Sequence, residues 1–155
     1  MPWYQVLAKP GIRFLRSDPF LDPRGCYTVI ATQLAGILYH NISLSSSILK
    51  GERNQDQMRP GKTLLTLLEK GEADAIPAFR HEAIERGLPF ISLAPQINLG
   101  NFAGYYKHAT CRQVNGSFTF GKPIGYDITI PNTVRNTEGA IQFVKFLFSD
   151  QGKKS

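Results

Sequence analysis

Two carboxylates, Asp18 and Asp22, share one short loop, and Arg24, Gly25 and Cys26 follow directly behind them. Three chemistries are open to such a set. Paired carboxylates can move protons, a cysteine at a helix start can be a nucleophile, and free backbone N–H groups at a helix start can hold an anion. The first two find little support. One loop carrying both aspartates fits capping and turn formation better than acid–base work. Cys26 could in principle pair with His81 or His108 as a base, but no oxyanion or orienting motif accompanies it. A small buried helix residue is the plainer reading of Cys26, and the chain is expected not to be an enzyme.

Other chemistry-bearing residues lead nowhere definite. The cysteines are two, Cys26 and Cys111, with no CxxC spacing, and His40, His81 and His108 lie at intervals unlike those of metal ligands. Their redox state stays open. Gly61-Lys62-Thr63 resembles the end of a phosphate loop, yet the glycine that such a loop needs five residues earlier is Asp56. A helix start is the better reading there.

What must position the Asp18–Asp22 loop is legible on both sides. The alternation Ile12-Arg13-Phe14-Leu15-Arg16 reads as a strand. After the loop, Cys26, Val29, Ile30, Leu34, Ile37 and Leu38 recur at helical spacing, so a core-packing helix is expected to run to about Asn41. Asp22 stands at its N-cap and Pro23 at its first position, where the missing N–H costs nothing. A strand, a tight loop and a helix N-terminus make a favourable seat for an anion. They also make an ordinary capped connection, and local features alone leave both readings standing.

Along the chain, residues 2–8 read as the tail of a helix stopped by Pro10-Gly11. Residues 43–59 are polar and poorly periodic, which suggests a surface excursion with one short helical turn. A helix through Leu64, Leu65, Leu67 and Leu68 should stop at Gly71, a natural C′ residue. Residues 73–79 read as a short strand, 81–86 as a helical turn or two closed by Gly87, and 90–93 as a buried strand. From Ala103 longer strands are expected: 105–114, a hairpin at Asn115-Gly116, 117–120, and 124–130 as the clearest alternation in the chain. Asn136-Thr137-Glu138 opens a last helix through Ala140, Ile141, Val144, Leu147 and Phe148. Phe143 and Phe146 widen its apolar face, so it should pack on two surfaces or associate with another copy. The rhythm is α/β.

The 155 residues suit one domain, and 42% hydrophobic with 19% charged residues is a globular composition. The net charge of +6 is scattered, with no basic stripe and interleaved aromatics, so nucleic acid is not expected as a partner. An anionic small ligand suits the charge. No run reaches the roughly 18 apolar residues of a bilayer span. Met1-Pro2-Trp3-Tyr4-Gln5 has neither a basic nor an apolar signal region, so no signal peptide is expected.

Several separated stretches together suggest a family. Arg16-Ser17-Asp18-Pro19-Phe20-Leu21-Asp22-Pro23-Arg24-Gly25-Cys26-Tyr27 resembles the central loop of molybdate/tungstate-binding proteins of ABC importers. Leu68-Glu69-Lys70-Gly71-Glu72-Ala73-Asp74-Ala75-Ile76-Pro77-Ala78-Phe79-Arg80 resembles their hinge-side strand, and Phe90-Ile91-Ser92-Leu93-Ala94-Pro95-Gln96-Ile97-Asn98-Leu99 the segment after it. Residues 124–152, ending Phe146-Leu147-Phe148-Ser149-Asp150-Gln151-Gly152, are similar to the closing strand and helix of solute-binding proteins generally.

The resemblance implies a type II periplasmic-binding-protein-like α/β fold. Residues 1–155 would form a single three-layer αβα lobe with a mixed sheet, matching the family's second lobe and C-terminal helix. It further implies an oxyanion ligand such as molybdate or tungstate, a periplasmic or extracytoplasmic setting, and an ABC permease with its ATPase as partners. The matching half lacks the N-terminal lobe, which normally supplies serine hydroxyls to the anion, and a homodimer through the C-terminal helix could stand in its place. Asp22 and the backbone N–H groups of Arg24 and Gly25 fall where the family's second lobe meets the oxyanion, with Asp18 the second choice of carboxylate. Asp22 would ligate the metal of the oxyanion if that metal is coordinated directly. The family's second carboxylate falls at Ala78, which has no oxygen to offer, so a tetrahedral oxyanion, or a different anion, is expected. Arg80 is the nearest substitute charge. The alternative is a sensing or interaction domain that keeps the fold and has lost the anion site.

Overall fold

The computed structural model describes residues 1–101 and 103–154. Two compact units divide the chain, Met1–Ile124 and Gly125–Ser155. The first is organised around an extended segment, residues 13–16, which lies between two others. Phe14 bridges Ala75 and Arg16 bridges Met58, both in parallel. Leu15 N–H donates to the Ala75 carbonyl at 3.1 Å, Arg16 N–H to Gln57 at 2.8 Å, and Arg59 N–H to Arg16 at 2.9 Å. Alternation along an extended segment sends successive side chains to opposite faces. Phe14 accordingly joins the main core with Val29, Ile30, Leu34, Leu44 and Ile48, whereas Leu15 joins a smaller one with Leu64 and Ala73. Helices cover both faces, which gives a helix–sheet–helix sandwich.

The helices of the first unit are α1 (Trp3–Leu7), α2 (Pro23–Leu38), α3 (Leu44–Leu49), α4 (Leu64–Glu69), α5 (Arg80–Glu85) and α6 (Ala103–Tyr106). A 3₁₀ turn at Gly61–Thr63 leads into α4, so the Gly-Lys-Thr sequence is a helix start. The longest, α2, is buried almost all round and carries Thr28, Val29, Ile30 and Thr32, which are stiff β-branched residues. Burial offsets their weak propensity, and the threonine hydroxyls are satisfied by donating to the Arg24 and Val29 carbonyls at 2.8 and 2.9 Å.

Three of these helices end in the same way. After α2, α4 and α5 comes a residue at positive φ, namely His40, Gly71 and Gly87. The next N–H, from Asn41, Glu72 and Leu88, reaches back to Gly36, Leu67 and Ala83 at 2.8–2.9 Å. These are Schellman closures, and they satisfy carbonyls that a helix end would otherwise leave bare.

β1 (Thr110–Arg112) and β2 (Phe118–Phe120) form an antiparallel hairpin with Cys111 opposite Thr119. Gly116 at its turn has φ +82°. The hairpin is an open two-stranded sheet, and the parallel pairs along residues 14–16 are isolated bridges apart from it.

Several expectations need correction. Residues 43–59 are not merely a surface excursion, because α3 buries Leu44, Ile48 and Leu49 while Ser46 and Ser47 face solvent. Residues 90–93 form no strand, and Ile91 is 69% exposed. The first part of 105–114 is helical: Tyr106 belongs to α6, and its buried hydroxyl donates to the Pro95 carbonyl at 2.6 Å. Residues 124–130 form no ladder among the described residues, and Tyr126 is 75% exposed. Alternation marks a segment able to half-bury in a sheet, but a ladder also needs a neighbour with free N–H and C=O groups.

The second unit is built on α7 (Thr137–Leu147). Asn136 caps it, accepting from Gly139 N–H at 2.8 Å, with Glu138 in the first turn and Lys145 in the last, as the helix dipole favours. Ile141, Phe143, Phe146 and Phe148 all remain exposed.

One contact fixes how the loop enters α2. A Cβ added at Gly25 would lie 2.5 Å from the Ser17 carbonyl oxygen and 2.6 Å from the Asp18 carbonyl carbon, both backbone atoms. Gly25→Ala is therefore expected to destabilise the chain by about 1–3 kcal/mol, as overpacking against unyielding neighbours does. Urea denaturation of the two proteins measures it, and an unchanged midpoint would show that the loop moves freely.

Candidate functional site

The loop between the central segment and α2 is held from inside. Asp18 Oδ1 accepts from Phe20 N–H at 2.8 Å, and its carbonyl accepts from Leu21 and Asp22 N–H. Its other oxygen pairs with Arg53 at 2.6 Å, and that guanidinium also lies over the Phe20 ring. Asp22 is the N-cap: Oδ1 accepts from Arg24 N–H at 2.8 Å, while its carbonyl accepts from Gly25 and Cys26 N–H. Oδ2 packs against Gly61, where a Cβ would be only 2.0 Å away. The backbone N–H groups of Arg24 and Gly25, expected to face an anion, thus both donate to Asp22.

The Arg24 side chain is different. Its guanidinium is largely buried, with 15% of the side chain exposed, and Nη2 donates to Glu82 Oε1 at 2.7 Å. The cation lies 5.2 Å from the centre of the Phe79 ring. Nε and Nη1 have no partner among the described residues. Unpaired buried donors are costly, so they favour any acceptor that can reach them. Glu82 also accepts from Phe79 N–H at 3.0 Å through Oε2, which ties the start of α5 to the start of α2.

Two separated stretches singled out in the sequence therefore meet here. Phe79 brings the segment containing Ala78 against Arg24, and Tyr27 meets the same ring edge-on. Ala78 is exposed. Arg80 does not join them; its guanidinium sits 6.0 Å from the Phe90 ring. Sequence reasoning missed Glu82, Arg53 and Phe79. Glu82 carried one local signal, its place three residues after an N-cap, where a carboxylate reaches back to the cap N–H. Its pairing with Arg24, 58 residues away, carried none.

Beneath the loop runs Arg16, fully buried. Nε donates to Gln57 Oε1 at 3.0 Å, and Nη2 to the Gly51 and Glu52 carbonyls at 2.8 and 2.9 Å. Burial pulls its pKa below the ordinary guanidinium value, and the charges of Asp18 and Glu52 oppose that. Two open clefts, of 360 and 550 Å³, flank other parts of the unit, and neither is lined by Asp18, Asp22, Arg24 or Gly25. Among the described residues, no group of three or more His, Cys, Asp and Glu side chains gathers to hold a metal ion.

Residues 2–155 match the family of bacterial extracellular solute-binding proteins. The chain belongs to that family. Its α/β lobe with an open sheet is type II periplasmic-binding-protein-like, and the family binds solutes rather than transforming them. An uncharacterized solute-binding protein of Petrotoga mobilis is 35% identical over 159 residues, covering 97% of this chain and 49% of the relative. A molybdate/tungstate-binding protein of Pyrococcus abyssi is 31% identical over 176 residues, covering 98% and 51%. One of the same description from Thermococcus kodakarensis is 31% identical over 174 residues, covering 98% and 49%. The chain spans about half the length of these curated relatives.

In this chain Asp22 is first a cap. Asp22→Ala should cost about 0.5–2 kcal/mol, and Asp22→Asn only a few tenths, since asparagine offers the same acceptor. Urea midpoints of the three proteins decide it. Equal losses for both substitutions would mean that the charge of Asp22, not its hydrogen bond, holds the turn.

Proposed function

We propose that this chain is the second-lobe part of the substrate-binding component of an ABC importer for an oxyanion such as molybdate or tungstate. It works outside the cytoplasm and delivers cargo to a permease driven by its ATPase. The observation that carries the reading is the Arg24 guanidinium at the start of α2, with Nε and Nη1 unpartnered. The molybdate/tungstate-binding relatives support the choice of anion.

In this reading Arg24 supplies forked N–H donors and the α2 dipole adds attraction at Gly25. Asp22 stays the cap and repels an approaching anion unless the metal of the oxyanion takes its oxygen directly. Asp18, already paired with Arg53, is the less suited carboxylate. With alanine at position 78, the anion is held as a tetrahedron through its oxygens. A first lobe facing this one would complete the shell and desolvate the anion.

By itself the chain should bind weakly. The dipole at a helix start is worth about 0.3–1 kcal/mol, and each hydrogen bond a net of about 0.5–1.5 kcal/mol. Two or three contacts amount to a few kcal/mol, which is millimolar binding or weaker. Titration of this chain with molybdate, tungstate, sulfate and phosphate, followed by amide chemical shifts, should give Kd values of about 1 mM or more. Arg24→Lys should weaken them roughly tenfold by losing the fork. A micromolar Kd would mean that the shell is completed within the chain or by a second copy.

The loss of a carboxylate at Ala78 favours a second reading, a sensing or interaction domain whose anion site is gone. Shifts unmoved by all four anions would select it. Self-association through the exposed apolar face of α7 is part of the first reading. Light scattering should then show a mass that rises with concentration and falls on Phe143→Ser. A constant monomer mass removes the dimer from the proposal.

A further inference from the structure

The reading of anion binding makes no use of the sulfur atoms behind the loop. Cys26 lies in the first turns of α2 and Cys111 in β1, and both are buried and unbridged. Gln113 Nε2 stands 3.7 Å from Cys26 Sγ and 3.9 Å from Cys111 Sγ, so one amide nitrogen lies against both sulfurs. Cys111 Sγ also lies 3.9 Å from the Pro19 carbonyl oxygen, within the anion loop. Three pieces of backbone far apart in sequence, namely the loop, the start of α2 and the hairpin, thus converge on two sulfurs. Zinc does not explain the pair, since no third ligand gathers with it among the described residues.

We propose that Cys26 and Cys111 are a dithiol modification site that closes to an intramolecular disulfide by exchange with a small-molecule disulfide. Cys26 is the attacking sulfur. The neighbouring Cys111 thiol holds its pKa below the usual thiol value, burial opposes this, and the amide of Gln113 assists. Cys111, beside Cys26 and buried, is pushed up. A thiolate near the start of α2 also gains from the helix dipole.

The exchange proceeds in two steps. Cys26 gives its proton to solvent and attacks the small disulfide, forming a mixed disulfide and releasing one small thiolate, which takes up a proton. Cys111 then loses its proton, attacks Cys26 Sγ and expels the second small thiolate, which is protonated in turn. Two protein S–H bonds become one S–S bond, and one small disulfide is reduced to two thiols. Burial makes local opening of the α2 start the slow step. An extracellular family supplies the oxidising setting in which such a bridge persists. The bridge would pin the anion loop to the β1–β2 hairpin.

The test uses the reduced chain incubated with oxidised glutathione under native conditions, then denatured, alkylated with iodoacetamide and weighed intact. The expected product is lighter than the reduced chain by two hydrogens, takes no alkyl group, retains no glutathione and yields one peptide joining Cys26 to Cys111. Its thermal midpoint should rise by at least about 5 °C and return on adding dithiothreitol, because the bridge closes a long loop of the unfolded chain. Cys111→Ser should stop with glutathione attached at Cys26. A wild-type chain that keeps glutathione, crosslinks to another chain, or is alkylated twice after prolonged exposure overturns the proposal. So does an oxidised chain with a lowered midpoint.

Discussion

The start of α2 depends on two backbones lying closer than any side chain would permit. The Ser17 and Asp18 carbonyls sit where the Cβ of residue 25 would be, so only glycine allows the loop to fold down on the helix. That approach puts Asp22 in reach of the Arg24 N–H and lets its carboxylate press against Gly61. The carboxylate thereby ties the start of α2 to the turn that begins α4. Helices on opposite faces of the central segment are registered through one aspartate and two glycines.

Arg24 extends the same junction to α5. Glu82 accepts at once from the Arg24 guanidinium and from the Phe79 N–H, so one carboxylate orients a cation and closes a helix start. With Phe79 against the cation, the guanidinium is held on one edge and left short of partners on the other. A half-satisfied buried cation at a helix N-terminus is a stability cost that anion binding can offset. Arg16 below differs, since its charge is met by the Gln57 side-chain oxygen and the Gly51 and Glu52 carbonyls. Its role is structural, because those carbonyls fix residues 51–57 beside the central segment.

Local signals made much of this legible. Asp22 and Pro23 marked the α2 start, Gly71 and Gly87 marked two helix ends, and Asn115-Gly116 marked the hairpin turn. Each is set by the residue's own φ or by a side chain reaching its own backbone. His40 was illegible as the end of α2, since nothing in its side chain asks for positive φ. α3 was hidden because serines surround Leu44, Ile48 and Leu49, and their weak propensity masked the buried spacing. At the candidate site, the loop and the segment that meets it could be singled out in the sequence, but the Arg24–Glu82 and Asp18–Arg53 pairs could not, since charge pairing over long separations leaves no periodic trace.

The failure at residues 124–130 has a different cause. Ile124 is tied to the core unit through its N–H to the Leu99 carbonyl at 2.8 Å, and the alternation continues past it with no ladder. A helix satisfies its own backbone and so can form wherever its caps and propensities suffice, as α7 does with no buried residue. A strand satisfies its backbone only across to another strand. The same apolar patterning that was a sound guide to α7 was thus an unsound one for 124–130. In both, sequence encodes the face to be covered, and only for the helix does it also encode the hydrogen bonds.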